Sequence, residues 1–388
     1  MNRVKEFIKN LILGFFSLFK IKNIIILESV PVLTDNAKAF YDYLIKNNYN
    51  DKYKIVWFTD NNSQDKVNDK NVKIVKVWKN ISKLSFFGAI KYCYYLKSAK
   101  FILYCNRNVH KLNKKSITIY LTHGLPLKNV RDLKLVSPKI DYVISPSEFF
   151  SSMFVDQFKV KKEKIIILGT ARNDLFYNYQ KTNKKFDFTS QKYQKIILWM
   201  PTFRDHAGQT RHDSSFSFPL GIPIIYDYDS LKKIDRLLKD KKMLLLIKPH
   251  PVQDMSKIKD INLNNIKLIN DNDLKRNNIT LMEYFFYVDA IMTDYSGVYY
   301  DALLTDRPLG FTIDDFKEYN ETRGFPFDNP LEKMAGMKIV NLGDLIKFIN
   351  DISLDNDLFK EERDNIKKLF YDKLDGKACE RIIKYFKF

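Results

Sequence analysis

The feature that most constrains this chain is a succession of short, continuous apolar runs rich in β-branched residues. They read IIILES (24–29), KIVWFT (54–59), VKIVKV (72–77), FILYC (101–105), SITIYLTH (116–123), YVISPS (142–147) and IIILG (165–169). A second set follows: KIILWM (195–200), MLLLIKPH (243–250), IKLIN (266–270), AIMTDYS (290–296) and PLGFT (308–312). A strand with one wet face alternates polar and apolar residues, whereas a strand apolar throughout is covered on both faces. Strands of the second kind, separated by helices, predict parallel sheets held between helix layers. Helical patterns at 36–47, 82–98, 229–240, 297–305 and from about 356 supply those layers.

At 388 residues the chain exceeds one ordinary core. The polar stretch YNYQKTNKKFDFTSQKYQ (177–194) separates the two sets of runs and reads as a linker. The expected architecture is α/β, with two doubly wound, Rossmann-like parallel-sheet domains over 23–185 and 190–350 facing a crevice. Helices over 351–388 are expected to pack back on the first domain. In such sheets ligands bind just beyond the carboxyl ends of the strands, so functional residues are sought there.

The N-terminus is distinctive. Val4, Phe7, Ile8, Leu11, Phe15 and Leu18 share one helical face, with Lys5, Lys9 and Lys20 on the other side. The apolar stretch 11–19 falls short of the ~20 residues that span a bilayer. A basic amphipathic helix over 1–22, lying in the membrane interface, fits the pattern. The net charge of +19 adds attraction for anionic lipid. It also raises the reading of a non-catalytic nucleic-acid binder, but the lysines run along the whole chain and no RNP, KH or zinc-finger pattern occurs. Cys93, Cys105 and Cys379 have no CxxC spacing, which suits a reducing compartment and no disulfide framework.

Polar clusters do follow the runs. His123-Gly124 closes one, Gly169 to Asp174 follows another, and Pro201-Thr202-Phe203-Arg204 begins the second half. Lys248-Pro249-His250-Pro251 comes next, then Thr293-Asp294-Tyr295-Ser296-Gly297, where a helix starts. A helix start at Ser296-Gly297 would offer free backbone N–H groups and a positive dipole end, a phosphate cradle. Each cluster alone has an ordinary explanation: an N-cap, a rigid turn, a surface ion pair. Clusters at five strand ends able to face one crevice point to a site. Three D-x-D matches (Asp227-Tyr228-Asp229, Asp271-Asn272-Asp273 and Asp355-Asn356-Asp357) lie in polar loops away from these clusters, and no metal ligand set is assigned. No HExxH, GxGxxG, Walker or GxSxG pattern is present.

Taken in order, these motifs resemble the CDP-glycerol glycerophosphotransferase family, which primes and polymerises wall teichoic acid. Glu28-Ser29 with Asp35-Asn36 resembles its ES…DN element, and His123 to Lys128 its HGTPLK. Gly169 to Asp174 resembles GxPRND, Met200 to Arg204 resembles APTFR, and Lys248 to Pro251 the (K/R)xHP element. Thr293 to Ser296, with Asp301, Arg307-Pro308, Glu318-Tyr319 and Arg323-Gly324-Phe325, resembles TDYSS…D…RP…EY…RGF. The likeness spans about 24–330. Leu125 stands where the pattern has Thr, Ala171 where it has Pro, and Gly297 where it has the second Ser.

The resemblance implies a GT-B-like fold and transfer of glycerol phosphate from CDP-glycerol to a lipid-linked (polyprenyl diphosphate saccharide or glycerol phosphate) acceptor at the cytoplasmic face of the bacterial membrane. CMP leaves, and no cofactor is implied. Displacement at phosphorus needs a base for the attacking hydroxyl and positive charge on the phosphoryl oxygens. His123 is the implied base, since an imidazole titrates near neutrality. His250, Lys248, Arg204 and the Ser296 helix start are assigned to the pyrophosphate, Arg172 and Asn173 to phosphate or acceptor, and Glu318 to the ribose. Gly124, Lys128, Asp174, Thr202, Thr293, Asp294, Gly297, Asp301 and Arg323 complete the implied substrate-binding set. His110, His206 and His212 match no motif and are read as structural. The competing donors are CDP-ribitol and, for a true glycosyltransferase, a nucleotide sugar.

Overall fold

The computed structural model describes residues 20–59, 67–76, 86–179, 193–204 and 216–388, except 252, 260, 262 and 278. The amphipathic helix expected over 1–22 lies almost entirely outside the described residues, as do His206, His212 and most of the linker. The chain divides into two compact units. The first takes the described residues up to His123, Arg131–Leu175 and Asp372–Phe388; the second takes Gly124–Val130 and Phe176–Tyr371.

The first unit holds a seven-stranded sheet of β1 (Lys22–Glu28), β2 (Lys54–Thr59), β3 (Val72–Lys76), β4 (Ala99–Tyr104), β5 (Ile117–Tyr120), β6 (Tyr142–Ser145) and β7 (Ile165–Ile167), in the order β3-β2-β1-β4-β5-β6-β7. Every pairing is parallel. The apolar runs are buried on both faces: Ile25, Ile26 and Leu27 have no exposed surface. The helix Asp35–Lys46 and the C-terminal helix Ala378–Phe386 turn Phe40, Leu44, Ile382 and Phe386 into this core. The Phe388 ring stacks on Phe101 at 3.8 Å, which ties the chain's last residue to β4.

The second unit repeats the plan with β8 (Lys195–Met200), β9 (Met243–Ile247), β10 (Ile266–Leu268), β11 (Ala290–Thr293), β12 (Leu309–Thr312) and β13 (Met337–Ile339), in the order β10-β9-β8-β11-β12-β13, again all parallel. The helix Tyr228–Asp240 buries Leu231, Ile234 and Leu238, a single stripe at helical spacing. Asp227 caps it by accepting from the Ser230 N–H at 2.7 Å. In both sheets the strand order reverses beside the first strand, so the points where such folds take ligands lie between β1 and β4 and between β8 and β11.

Three features depart from the sequence reading. β13 was not anticipated: it has three residues with Lys338 at the centre, too short and polar to register as an apolar run. The C-terminal stretch does not move as one block, because 351–371 stays with the second unit and only Asp372–Phe388 joins the first. The charge is not evenly spread either. The first unit has 35 Lys and Arg against 17 Asp and Glu, whereas the second has 30 against 29.

Asp174, assigned to substrate, anchors the C-terminal helix. Its buried carboxylate accepts from the N–H groups of Ala378 (2.9 Å) and Cys379 (2.8 Å), orphan donors at that helix's start. Asp174→Ala should therefore cost about 1–2 kcal/mol of stability. Scanning calorimetry is expected to show the midpoint falling by a few degrees, and an unchanged midpoint would refute the anchoring role.

Candidate functional site

In the first unit the site is built around one buried carboxylate. Asp35 opens the helix Asp35–Lys46 in a left-handed conformation (φ 61°), and its side chain is only 5% exposed. One oxygen accepts from Arg172 Nη1 at 2.8 Å; the other lies 2.5 Å from His123 Nδ1. A carboxylate accepts only, so Nδ1 carries the hydrogen and the lone pair is left on Nε2 of a half-exposed ring. Burial pushes the Asp35 pKa up, but Arg172 and His123 outweigh it and hold the carboxyl at about 2. Thr122, just before the histidine, also takes a left-handed conformation (φ 69°), costly for a β-branched residue. The Asn36 side chain holds it there, donating to the Thr122 carbonyl at 3.1 Å while accepting from the Arg172 N–H at 3.0 Å.

Immediately after His123 the chain enters the second unit, and Gly124–Val130 is fixed there at several points. The Leu125 carbonyl lies against Gly297 so closely that a Cβ built at 297 would stand 2.4 Å from its oxygen. Tyr300 donates its hydroxyl to the Pro126 carbonyl at 3.4 Å, and the Asn129 N–H donates to the Gly324 carbonyl at 3.0 Å. The Lys128 ammonium stands 5.9 Å from the centre of the Phe203 ring, and the His250 ring packs on that same Phe203 at 4.7 Å. Three separate motifs thus meet at one aromatic ring, and Lys128 and His250 are brought together there.

Behind them, where β8 and β11 end, lies a buried ion network. Asp294 accepts from the Thr202 N–H (2.9 Å), the Thr202 hydroxyl (2.8 Å) and Arg204 Nη1 (2.9 Å). Arg204 also binds Asp315 through Nε (2.6 Å) and Nη2 (3.2 Å), and Tyr295 donates to Asp315 at 3.0 Å. The guanidinium lies 5.1 Å from the Tyr295 and Tyr319 ring centres. Arg204 is 1% exposed, and although burial alone would lower its pKa, the two carboxylates drive it well above the usual arginine value.

Residues 12–387 match the family model of CDP-glycerol:poly(glycerophosphate) glycerophosphotransferase. The chain belongs to this family. Over 98% of its length, and 98% of the relative's, it is 26% identical to the teichoic acid glycerol-phosphate transferase of Staphylococcus aureus. It is also 26% identical to the teichoic acid poly(glycerol phosphate) polymerase of Bacillus spizizenii, over 77% of this chain and 75% of that one. Among solved structures it resembles the wall teichoic acid polymerase TagF, with a TM-score of 0.72, 24% identity and coverage of 100% and 95%. The Staphylococcus aureus MnaA–UDP complex aligns with a TM-score of 0.56 at 14% identity, covering 95% and 96%. These likenesses to solved structures show the two-unit fold.

Within the transferase family's motifs, several residues take roles other than those the sequence reading assigned. Arg204 and Asp294 are spent on the buried network rather than presented to solvent. Thr293 is buried, its hydroxyl donating to the Met200 carbonyl at 2.8 Å. The helix at Ser296-Gly297 spans only Val298–Leu303, and the Val298, Tyr299 and Tyr300 amides are taken by the Ser296 hydroxyl, the Ser296 carbonyl and the Gly297 carbonyl. Gly297 there also admits the close approach of the Leu125 carbonyl. Lys248 is mostly buried and paired with Asp271 at 2.8 Å. Asn173 and Asp301 are buried, Glu318 is half-buried, and Arg323 ends the helix Phe316–Thr322 beside the Gly324 turn that holds Asn129. Asp227, Asp271 and Asp355 of the D-x-D matches cap a helix, pair with Lys248 and pair with Lys195. Among the described residues no cluster of His, Cys, Asp and Glu is arranged to hold a metal. The residue missed as a partner is Asp35. Its signal was its place in the ES…DN element, although 88 positions separate it from His123.

Three outcomes follow for this transferase-family site. Asp35→Asn removes the carboxylate that orients His123, so kcat should fall by roughly two orders of magnitude or more, with KM for CDP-glycerol little changed in steady-state assays. Because the Asp35 pKa is lowered, its contribution of about 2 kcal/mol is complete above about pH 4 and is lost as the pH falls toward 2. The wild-type stability should lose that increment on acid titration, and Asp35→Asn should not. Gly297→Ala forces the Leu125 carbonyl away and should shift Lys128 with it, raising KM for CDP-glycerol; wild-type kinetics in this variant would show that the close approach is dispensable.

Proposed function

We propose that this chain transfers glycerol phosphate from CDP-glycerol to a hydroxyl of a lipid-linked acceptor, releasing CMP, in the synthesis of teichoic acid or a related surface glycopolymer. The observation that carries this reading is the His123–Asp35 pair, set in a chain of the glycerophosphotransferase family. With Nδ1–H held by Asp35, Nε2 accepts the proton of the acceptor hydroxyl. The oxygen attacks the phosphorus that bears glycerol, a new P–O bond forms, and the bond to the bridging oxygen of CMP breaks.

His250 and Lys128, both against Phe203, supply positive charge to the phosphoryl oxygens, and His250 hands a proton to the departing phosphate. Lys248 adds a fixed charge nearby in sequence. Arg172 acts through Asp35 and so positions rather than binds. Gly124 gives the backbone turn that follows the base. Asn173, Glu318 and Arg323 are assigned to acceptor phosphate, ribose and nucleotide phosphate in that order. The surplus of positive charge on the first unit supports work at an anionic membrane surface on the cytoplasmic side, as a peripheral protein. No helix among the described residues is long and apolar enough to cross a membrane.

The test incubates the protein with CDP-glycerol and CDP-ribitol in turn, beside lipid-linked acceptors, and identifies both the product and the released nucleotide. CMP with a glycerol phosphodiester is expected; a nucleoside diphosphate would mean sugar transfer and overturn the reading. His123→Ala should lose transfer by several orders of magnitude while still binding CDP-glycerol, and near-normal turnover would remove His123 as the base.

A further inference from the structure

We propose that the first unit carries a second anion-binding site, separate from the His123 pair, which holds a phosphodiester of the acceptor chain behind the hydroxyl being extended. The proposal rests on the glycerophosphate-transfer reading. Its place is a cavity of about 260 Å³ lined by His110, Lys111, Thr118, Ser137 and Lys139, with Lys114 at its rim. The cavity sits at the amino ends of β5 and β6, whereas His123 follows the carboxyl end of β5. Four strand residues and the flanking turns separate the two by roughly 15–20 Å along the strand direction.

The charges in the cavity are not alike. Lys111 is pinned: it binds both oxygens of Asp141 (2.7 and 2.6 Å) and the Ser116 carbonyl (3.0 Å). Asp141 is filled in turn by the Thr118 N–H and hydroxyl, each at 2.8 Å. The one carboxylate near the cavity is therefore neutralised by partners already in place. Lys114 and Lys139 are exposed and, among the described residues, are matched to no carboxylate. They are two of the 35 basic side chains that this unit sets against 17 acidic ones. At the floor, the Ser137 hydroxyl lies 3.5 Å from His110 Nδ1, and Ser137 and Thr118 are 5% and 3% exposed.

This chemistry selects the ligand. A flat lipid surface cannot reach the Ser137 hydroxyl at the floor of a concavity, whereas a phosphodiester on a flexible glycerol chain can. No Phe, Tyr or Trp ring lines the cavity, so it offers no broad aromatic face for a nucleobase. A volume of 260 Å³ admits a glycerol phosphate unit but not a folded macromolecular partner. An acceptor that is itself a chain of phosphodiesters would gain affinity from a remote positive subsite without any change at the reacting atoms.

The experiment uses full-length protein carrying Lys114→Glu with Lys139→Glu, both at exposed positions. Soluble glycerol phosphate oligomers of increasing length serve as acceptors. The wild type should show KM falling as the acceptor lengthens. The double variant should lose that dependence, with KM for long oligomers up by on the order of tenfold and kcat, KM for CDP-glycerol and KM for a single-unit acceptor unchanged. Equal length dependence in both proteins overturns the proposal. So does loss of binding to phosphatidylglycerol vesicles with acceptor KM unaffected, which would make the cavity a lipid contact. Calorimetric binding of the oligomer to His123→Ala protein needs no turnover, so it separates failure of this site from failure of the transferase reading: affinity that falls with the two charge reversals supports the site, and affinity that does not refutes it.

Discussion

The arrangement of the first unit's site depends on a single buried carboxylate. Asp35 lies beyond the reach of bulk water, where an unpaired anion is strongly disfavoured, and it is stabilised by His123 and Arg172. Those two partners come from loops after β5 and β7, so the need to satisfy one charge draws distant strand ends together. Asn36 completes the junction by bridging Thr122 and Arg172. The left-handed conformations at Asp35 and Thr122 are then held by the surrounding bonds, as strained residues at reactive centres generally must be. Removing the carboxylate would therefore disturb the orientation of His123 and the path of the chain together.

The second unit solves the same geometric problem with different charges. Both sheets reverse strand order beside their first strand, and both place a carboxylate at that point. Glu28 Oε2 accepts from the N–H groups of Cys105, Asn106 and Arg107 at 3.0–3.3 Å. Asp294 gathers Thr202 and Arg204. Backbone amides at such a point commonly cradle a ligand's phosphate. Here the protein's own carboxylates occupy those donors. Arg204 is the clearest consequence. Flanked by Asp294 and Asp315 and by the rings of Tyr295 and Tyr319, it stiffens the loop that carries Phe203.

The parallel sheets were legible because unbroken apolar runs leave few alternatives, and twelve of the thirteen strands follow those runs. β13 escaped because Lys338 interrupts an already short strand at the sheet's edge. The positions of the polar clusters were equally legible; their roles were not. Sequence gives residue type and chain position, while a role depends on what lies across the fold. Asp174 and Arg204 look as suited to a substrate as His250 does until Ala378 and Asp315, 204 and 111 positions away, claim them. The converse holds for Asp35, which acquires its importance only when His123 is folded against it.

Two of this chain's departures from its family's motifs, Leu125 and Gly297, meet in the second unit. Leu125 stands for a Thr in one motif and Gly297 for a Ser in another, and the structure makes them neighbours: the Leu125 carbonyl occupies the space a side chain at 297 would need. Leu125 itself is buried, so the hydroxyl it replaces would have had to find a partner there or remain unpaired. The contact at 297 is with the backbone carbonyl of residue 125, so the glycine and not the leucine side chain admits the close approach. A glycine at 297 lets the backbone of Gly124–Val130 settle closer to the helix Val298–Leu303, and the segment that settles carries Lys128 to Phe203.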